Sequence, residues 1–197
     1  MLNKKNKVNI AIFASGSGSN AENIARYFES RDKDKVTLIL TDNPEAGVIE
    51  RARKLQIPIL VFKKEQLNQG FVLSVLHQQE IDFIVLAGFL KLIPSNLIHS
   101  FPKRIINIHP ALLPKYGGKG MYGQKVHQAV KDAQETETGI TIHYVNEEYD
   151  DGDIIFQVKE AIRPKDSVQE IEKKVHKLEY MYYPEVIEDL LDELRED

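Results

Sequence analysis

The sequence predicts an α/β fold: a mostly parallel sheet with helices on both faces, in a single domain. Short runs that are apolar at nearly every position recur along the chain, among them VNIAIFA from Val8, VTLILT from Val36 and IDFIVL from Ile81. A strand that is hydrophobic on both sides belongs in the middle of a sheet covered on both faces. Segments of helical periodicity separate the runs, and strand–helix–strand alternation at this spacing implies right-handed βαβ units. The 197 residues suit one domain with a sizeable core.

In chain order, Val8–Ala14 is the first strand. It runs into Ser15-Gly16-Ser17-Gly18-Ser19-Asn20 and then a helix with Ile24, Tyr27 and Phe28 on one face. Val36–Thr41 is the second strand and Asp42-Asn43-Pro44 a turn. Glu45–Gln56 reads as a helix with Val48, Ile49, Ala52 and Leu55 inward, and Ile59–Phe62 as a third strand. Glu65–Glu80 reads as one helix with Leu67, Phe71, Val75 and Leu76 inward, weakened by Gly70. Ile81–Leu86 is the fourth strand, and Ile105–His109 is a strand that stops at Pro110.

Beyond Pro114, Lys115–Gly123 is a glycine-rich loop of the kind that acts as a lid. Gln124–Gln134 is helical with Val126, Ala129 and Val130 inward, and His127 reads as a structural or surface residue. Thr138–Val145 alternates as a strand with Thr141 and His143 on one side, and Ile154–Val158 is another strand. Ser167 and Glu170 form a capping box at the start of a helical region striped by Ile171, Val175 and Leu178. Pro184 is expected to break or kink that region before Val186–Leu194 resumes.

Composition removes several functional classes. With 42% hydrophobic and 28% charged residues the chain reads as an ordinary globular protein. No apolar run approaches the ~20 residues of a membrane span. The basic start, Met1–Lys7, is followed by too short an apolar run for a secretory signal. The absence of Cys rules out disulfides and thiolate metal sites and fits a cytoplasmic setting. The net charge of −4 offers no general attraction to nucleic acid or anionic lipid.

Ligands of parallel sheets bind at the carboxyl ends of the strands. Ser15–Asn20 lies there, and a Gly/Ser turn at a helix N-terminus cradles a phosphate with its free N–H groups. The same residues fit the GxGxxA dinucleotide fingerprint, with Asp42 as the ribose acid, or a plain turn capped by Ser19 or Asn20. Ala87–Ile93 is either core or a strip whose backbone receives a flat heterocycle. Asn107 and His109, two apart on a strand, share a face. An amide beside an imidazole can stabilise an oxyanion and move a proton; an incidental polar pair is the alternative. The acidic turn Asp150-Asp151-Gly152-Asp153 lacks the EF-hand pattern. It is either a solvated turn or the source of a carboxylate that reaches His109 and raises its pKa.

Four segments in this order also carry a resemblance: SGSGSN from Ser15, AGFLKLI from Ala87, NIHPALLPKY from Asn107 and YDDGDIIFQ from Tyr149. From Val8 to about Leu191 the chain resembles the phosphoribosylglycinamide formyltransferases, a branch of the folate-dependent formyltransferase family. The NIHPALLP segment with its downstream Asp-x-Gly marks users of 10-formyltetrahydrofolate, and GSGSN narrows the match to the glycinamide ribonucleotide branch.

The resemblance implies a Rossmann-like single domain over 1–197. Its N-terminal half (about 1–100) would bind the nucleotide phosphate, and its C-terminal half (about 101–197) would bind folate and carry the catalysis. It implies transfer of a formyl group from 10-formyltetrahydrofolate, a co-substrate, to the amine of 5-phosphoribosylglycinamide, with no metal. Asn107, His109 and Asp150 match the family's catalytic trio, with Asp150 keeping His109 cationic. Gly18, Ser19 and Asn20 match the loop that holds the ribonucleotide phosphate, and Glu179 an acid near the glycinamide. Leu90, Lys91, Leu92 and Ile93, with Asn107, match the folate pocket, and Lys64 a basic residue near the folate tail. The expected partners are these small molecules, without nucleic acid or membrane, for a cytoplasmic monomer or weak homodimer. Asp153 stands where many relatives have proline, and the Gly117–Gly123 loop is longer and richer in glycine than the commoner form.

Overall fold

The computed structural model describes residues 7–31 and 33–196; Asp32, Asp197 and the basic stretch before Lys7 lie outside the described residues. The elements in order are β1 (Asn9–Phe13), α1 (Ser19–Glu29), β2 (Lys35–Thr41), α2 (Val48–Lys54), β3 (Ile59–Val61), α3 (Lys64–Asn68) and α4 (Phe71–Gln78). They continue as β4 (Phe83–Leu86), α5 (Ser95–Ser100), β5 (Ile105–His109), α6 (Gln124–Asp132), β6 (Glu137–Tyr144), β7 (Ile154–Ala161) and α7 (Val168–Glu196). One seven-stranded sheet has the order β3-β2-β1-β4-β5-β6-β7. The first five strands are parallel, and β6 and β7 are antiparallel to their neighbours.

The apolar runs behave as double-sided strands. In β1, Ile10 and Ile12 enter a core shared with α1, α2 and α7. Ala11 and Phe13 enter a second core on the opposite face, with Leu67, Val72, Leu76 and Leu97 from α3, α4 and α5. Both faces are therefore covered, as a parallel sheet requires. Strand order reverses between β1 and β4, so a crevice opens at their carboxyl ends. Among the described residues no helix is long and apolar enough to cross a membrane.

Four details differ from expectation. The predicted helix over 65–80 is two helices, because Gly70 takes a left-handed φ of +87° that no α-helix accommodates. The break rotates the second half, so Val72 is buried and Phe71, expected inward, is 45% exposed. α2 begins only at Val48, because Asn43 folds the preceding turn by accepting the Glu45 N–H on its side chain and the Ala46 N–H on its carbonyl. α7 runs unbroken through Pro184. Proline has no N–H for the Tyr180 carbonyl one turn back, and Asn23 of α1 supplies a donor instead at 2.9 Å. β7 also runs on to Ala161, paired along its length with β6.

Candidate active site

The loop after β1 is shaped by Gly18. It sits at φ +75° as the residue before α1, and a Cβ there would lie 2.4 Å from the Val48 side chain. No other residue fits without displacing α2. No side chain caps α1, so the capping alternative for Ser19 or Asn20 does not hold. The first-turn N–H groups are left for a ligand. Asn20 instead sends its side chain to α7, where Nδ2 donates to Glu179 Oε2 at 2.9 Å. His176 Nδ1 donates to the same oxygen at 2.7 Å. Glu179 is buried, and the Asn20 side-chain oxygen beside it is buried with no partner among the described residues. Two groups 159 positions apart are thus joined.

At the end of β5, Asn107 and His109 share a face, and the acidic turn closes onto them. Asp150 adopts φ +55° and turns its carboxylate inward. Oδ1 accepts from Asn107 Nδ2 at 3.3 Å and Oδ2 lies 3.4 Å from His109 Nδ1. The Gly118 N–H donates to Oδ2 at 2.9 Å. The incidental-pair and solvated-turn alternatives fail, because a half-buried carboxylate pairs with both strand residues. Asp151 remains on the outer side, accepting from Asn146. Among the described residues no set of His and carboxylates is arranged to hold a metal.

His143 stands outside the sequence-predicted set. Antiparallel register places it opposite Asn107. Its Nδ1 donates to the Tyr144 carbonyl at 2.8 Å, so a neutral Nε2 is bare and accepts from Asn107 Nδ2 at 3.1 Å. Nε2 also faces Asp150 Oδ1 at 3.7 Å. Strand alternation put His143 on the right side of β6, but only the pairing register brings it to Asn107.

Burial is the largest influence on His109 and pushes its pKa below the ordinary imidazole value, against the opposing pull of Asp150 and the Tyr116 carbonyl. The expectation that Asp150 keeps His109 cationic is therefore corrected: in this state the ring favours the neutral form. Burial also presses the Asp150 pKa upward, but the neighbouring His143 and His109 rings and the Gly118 N–H together outweigh it and hold the carboxyl below its usual range. His109 Nε2 faces the Tyr116 carbonyl at 2.7 Å, so it carries the proton. The hydrogens of His109 Nε2 and Asn107 Nδ2 are all directed at protein acceptors in this state.

The strip after β4 lines the other side of the crevice. Leu90, Lys91 and Leu92 are exposed, whereas Ile93 is buried in the core with Phe89. Ile93 can therefore meet a ligand only through its backbone. Asp42, the ribose acid of the dinucleotide reading, is already held: Ser15 Oγ donates to it at 2.6 Å and Lys91 Nζ lies 3.7 Å away. Lys64 is exposed at the start of α3, beyond β3, and β2 separates it from the crevice. His127 of α6 is buried, with burial lowering its pKa and its Nδ1 unpaired among the described residues.

Comparison with known proteins identifies the family. Residues 8–187 match the formyl transferase family. The chain is 42% identical over 191 residues to the chloroplastic phosphoribosylglycinamide formyltransferase of Arabidopsis thaliana, covering 93% of this chain and 65% of that relative. It is 40% identical over 187 residues to the phosphoribosylglycinamide formyltransferase of Bacillus subtilis, covering 92% and 93% of the two chains. The crystal structure of phosphoribosylglycinamide formyltransferase from Bacillus halodurans superposes with a TM-score of 0.84 at 35% identity, covering 93% of this chain and 95% of that one. The chain spans about two thirds of its plant relatives' length, 65% and 61% in two of them. A Rossmann-like sheet, an Asn–His–Asp unit around a buried histidine at its carboxyl edge and a family match across nearly the whole length lead to one conclusion: this chain belongs to the formyl transferase family.

Proposed function

We propose that the protein transfers the formyl group of 10-formyltetrahydrofolate to the amine of 5-phosphoribosylglycinamide, giving formylglycinamide ribonucleotide and tetrahydrofolate in purine biosynthesis. The observation that carries this reading is the Asn107–Asp150–His109 unit, set at the carboxyl edge of the sheet on β5, next to β4 with its 88–93 strip and one strand further from β1 and the α1 N-terminus. The relatives' names point the same way. In this reading Gly18, Ser19 and Asn20 hold the phosphate and Glu179 faces the glycinamide. Leu90, Lys91, Leu92 and the Ile93 backbone receive the folate, and Lys64 reaches toward its tail. The nucleotide-binding groups fall mainly in the half up to about residue 100, and the catalytic groups in the half after it.

The amine nitrogen bonds to the formyl carbon, and the formyl oxygen gathers negative charge. Asn107 Nδ2–H donates to that oxygen; losing such a donor costs about 100- to 1000-fold in rate. Once the Tyr116 carbonyl lets go and the ring proton moves to Nδ1, against Asp150, neutral His109 accepts on Nε2 the proton the amine sheds, and Asp150 stabilises the imidazolium so formed. The tetrahedral carbon then expels the folate nitrogen, which takes up that proton. The sequence of steps requires the Tyr116 carbonyl to release His109 and Asn107 to release one internal acceptor, so the 115–123 loop must shift on substrate binding.

An absorbance assay with 10-formyl-5,8-dideazafolate, with and without glycinamide ribonucleotide, tests the reading. Turnover that requires the ribonucleotide supports it. Formyl loss to water at the same rate without the ribonucleotide makes the enzyme a deformylase and overturns it.

A further inference from the structure

Asp42, the acid of the dinucleotide reading, has no task in the catalytic reading. Its surroundings give it one. The Ser15 hydroxyl stands between two groups whose roles are fixed. The Leu90 N–H can only donate, and does so to Ser15 Oγ at 3.1 Å. The Asp42 carboxylate can only accept, and takes the Ser15 proton on Oδ1 at 2.6 Å. The chain of bonds therefore runs one way, from Leu90 through Ser15 to Asp42, and ends on a charge. The other carboxylate oxygen of Asp42 lies 3.7 Å from Lys91 Nζ, so the same acid reaches the next residue of the strip directly. The Ser15 backbone adds a third tie, its N–H donating to the Gly88 carbonyl at 3.0 Å. Asn43 Nδ2 donates to the Ser15 carbonyl at 3.3 Å and so holds Ser15 itself to the turn after β2.

Ser15 is also the first residue of the loop that leads to Gly18–Asn20. The strip is thus tied at 88, 90 and 91 to the base of the phosphate loop, while Phe89 and Ile93 pack into the core beneath it. We propose that Asp42 and Ser15 are positioning residues for the formyl donor: they register the 88–91 backbone at the folate-binding side of the crevice against the phosphate loop. This rests on the formyl-transfer reading above. Neither residue touches the reacting atoms. Losing the tie weakens donor binding while the phosphate cradle, formed by the α1 N-terminus and Gly18, keeps its own geometry.

The test uses Ser15→Ala, Asp42→Ala and Asp42→Asn in the full chain. Ser15→Ala and Asp42→Ala are expected to raise the KM for the formyl donor, and the Kd for 10-formyl-5,8-dideazafolate, by roughly tenfold, the size of one charge-assisted hydrogen bond. The ribonucleotide KM should stay within about threefold. Asp42→Asn keeps an acceptor for the Ser15 proton and loses only the charge facing Lys91, so it should recover most of the donor affinity. Amide exchange at Leu90 should quicken in Ser15→Ala and stay slow in Asp42→Asn. Donor affinity unchanged in Ser15→Ala and Asp42→Ala overturns the proposal. So does an equal rise in both KM values with a lowered melting temperature, which means general loosening. Should Asp42→Ala not fold, Ser15→Ala and Asp42→Asn decide alone. Wild-type protein that binds the dideazafolate but never turns over sinks the catalytic reading and leaves this one standing.

Discussion

Asp150 shows how one residue sets the chemistry of a site without lying in the strand that carries it. It stabilises positive charge on His109, while burial of the ring works the other way and prevails. Asp150→Asn therefore lowers the His109 pKa further. We expect kcat to fall by two orders of magnitude or more, the size of one lost electrostatic contribution in a dry site. The acidic limb of the pH–rate profile should move to lower pH, since a His109 of lower pKa stays unprotonated, and able to accept a proton, further into acid; an unmoved limb disproves the coupling. Gly18 makes a separate point. Gly18→Ala combines a strained φ of +75° with a Cβ 2.4 Å from Val48, for a loss of about 2 kcal/mol or more. Thermal unfolding reads that loss, and the ribonucleotide KM should rise more than the donor KM. The reverse pattern would place the phosphate elsewhere.

Among the elements, helix boundaries were the least legible in the sequence, and each deviation has a local cause. The apolar period across 65–80 continues through Gly70, so the pattern reads as one helix; the backbone at φ +87° makes it two. A Cβ at Gly70 meets only Asn96 Nδ2 at 3.7 Å, so Gly70→Ala isolates the backbone cost. It should destabilise by about 1–2 kcal/mol without raising helicity. A gain in both stability and circular-dichroism helicity would mean the two helices prefer to fuse. Pro184 is the converse case. Its residue type argues for a break, but α1 offers Asn23 to the carbonyl the proline cannot serve, and the helix continues. The strands fared better because a double-sided apolar run admits few other structures. The loop from Pro114 to Gly123 is held at its root by Lys115 Nζ and Tyr116 Oη, both donating to Glu135. Its mobility as a lid therefore begins beyond Tyr116 or with the release of that anchor.

Over the whole molecule, acid sensitivity follows from two buried imidazoles. Burial holds both His109 and His127 below the ordinary imidazole value. A base whose folded-state pKa lies below its unfolded one binds fewer protons when folded. Its stabilisation is complete above the unfolded value of about 6.5 and is lost as pH falls through the lower folded value. The melting temperature should therefore decline on acidification below about pH 6.5. His127→Leu, similar in bulk and unable to titrate, should flatten part of that decline. A variant curve parallel to wild type would show that His127 carries none of it.

Sequence alone determined the layered α/β architecture, because strands apolar on both sides require cover on both sides. It also determined the chemistry on offer: an amide and an imidazole two apart on a strand, a glycine turn before a helix, and an acidic turn downstream. Tertiary structure decided how those groups act. Antiparallel register put His143 opposite Asn107, which no one-dimensional period encodes. Helix packing joined Asn20 to Glu179 and left Ile93 in the core. Burial, a property of the assembled fold and of no single residue, reversed the expected shift of His109. Local pattern specifies which groups a chain can present; solvent exclusion and register, set only when distant segments pack, specify their charge and their partners.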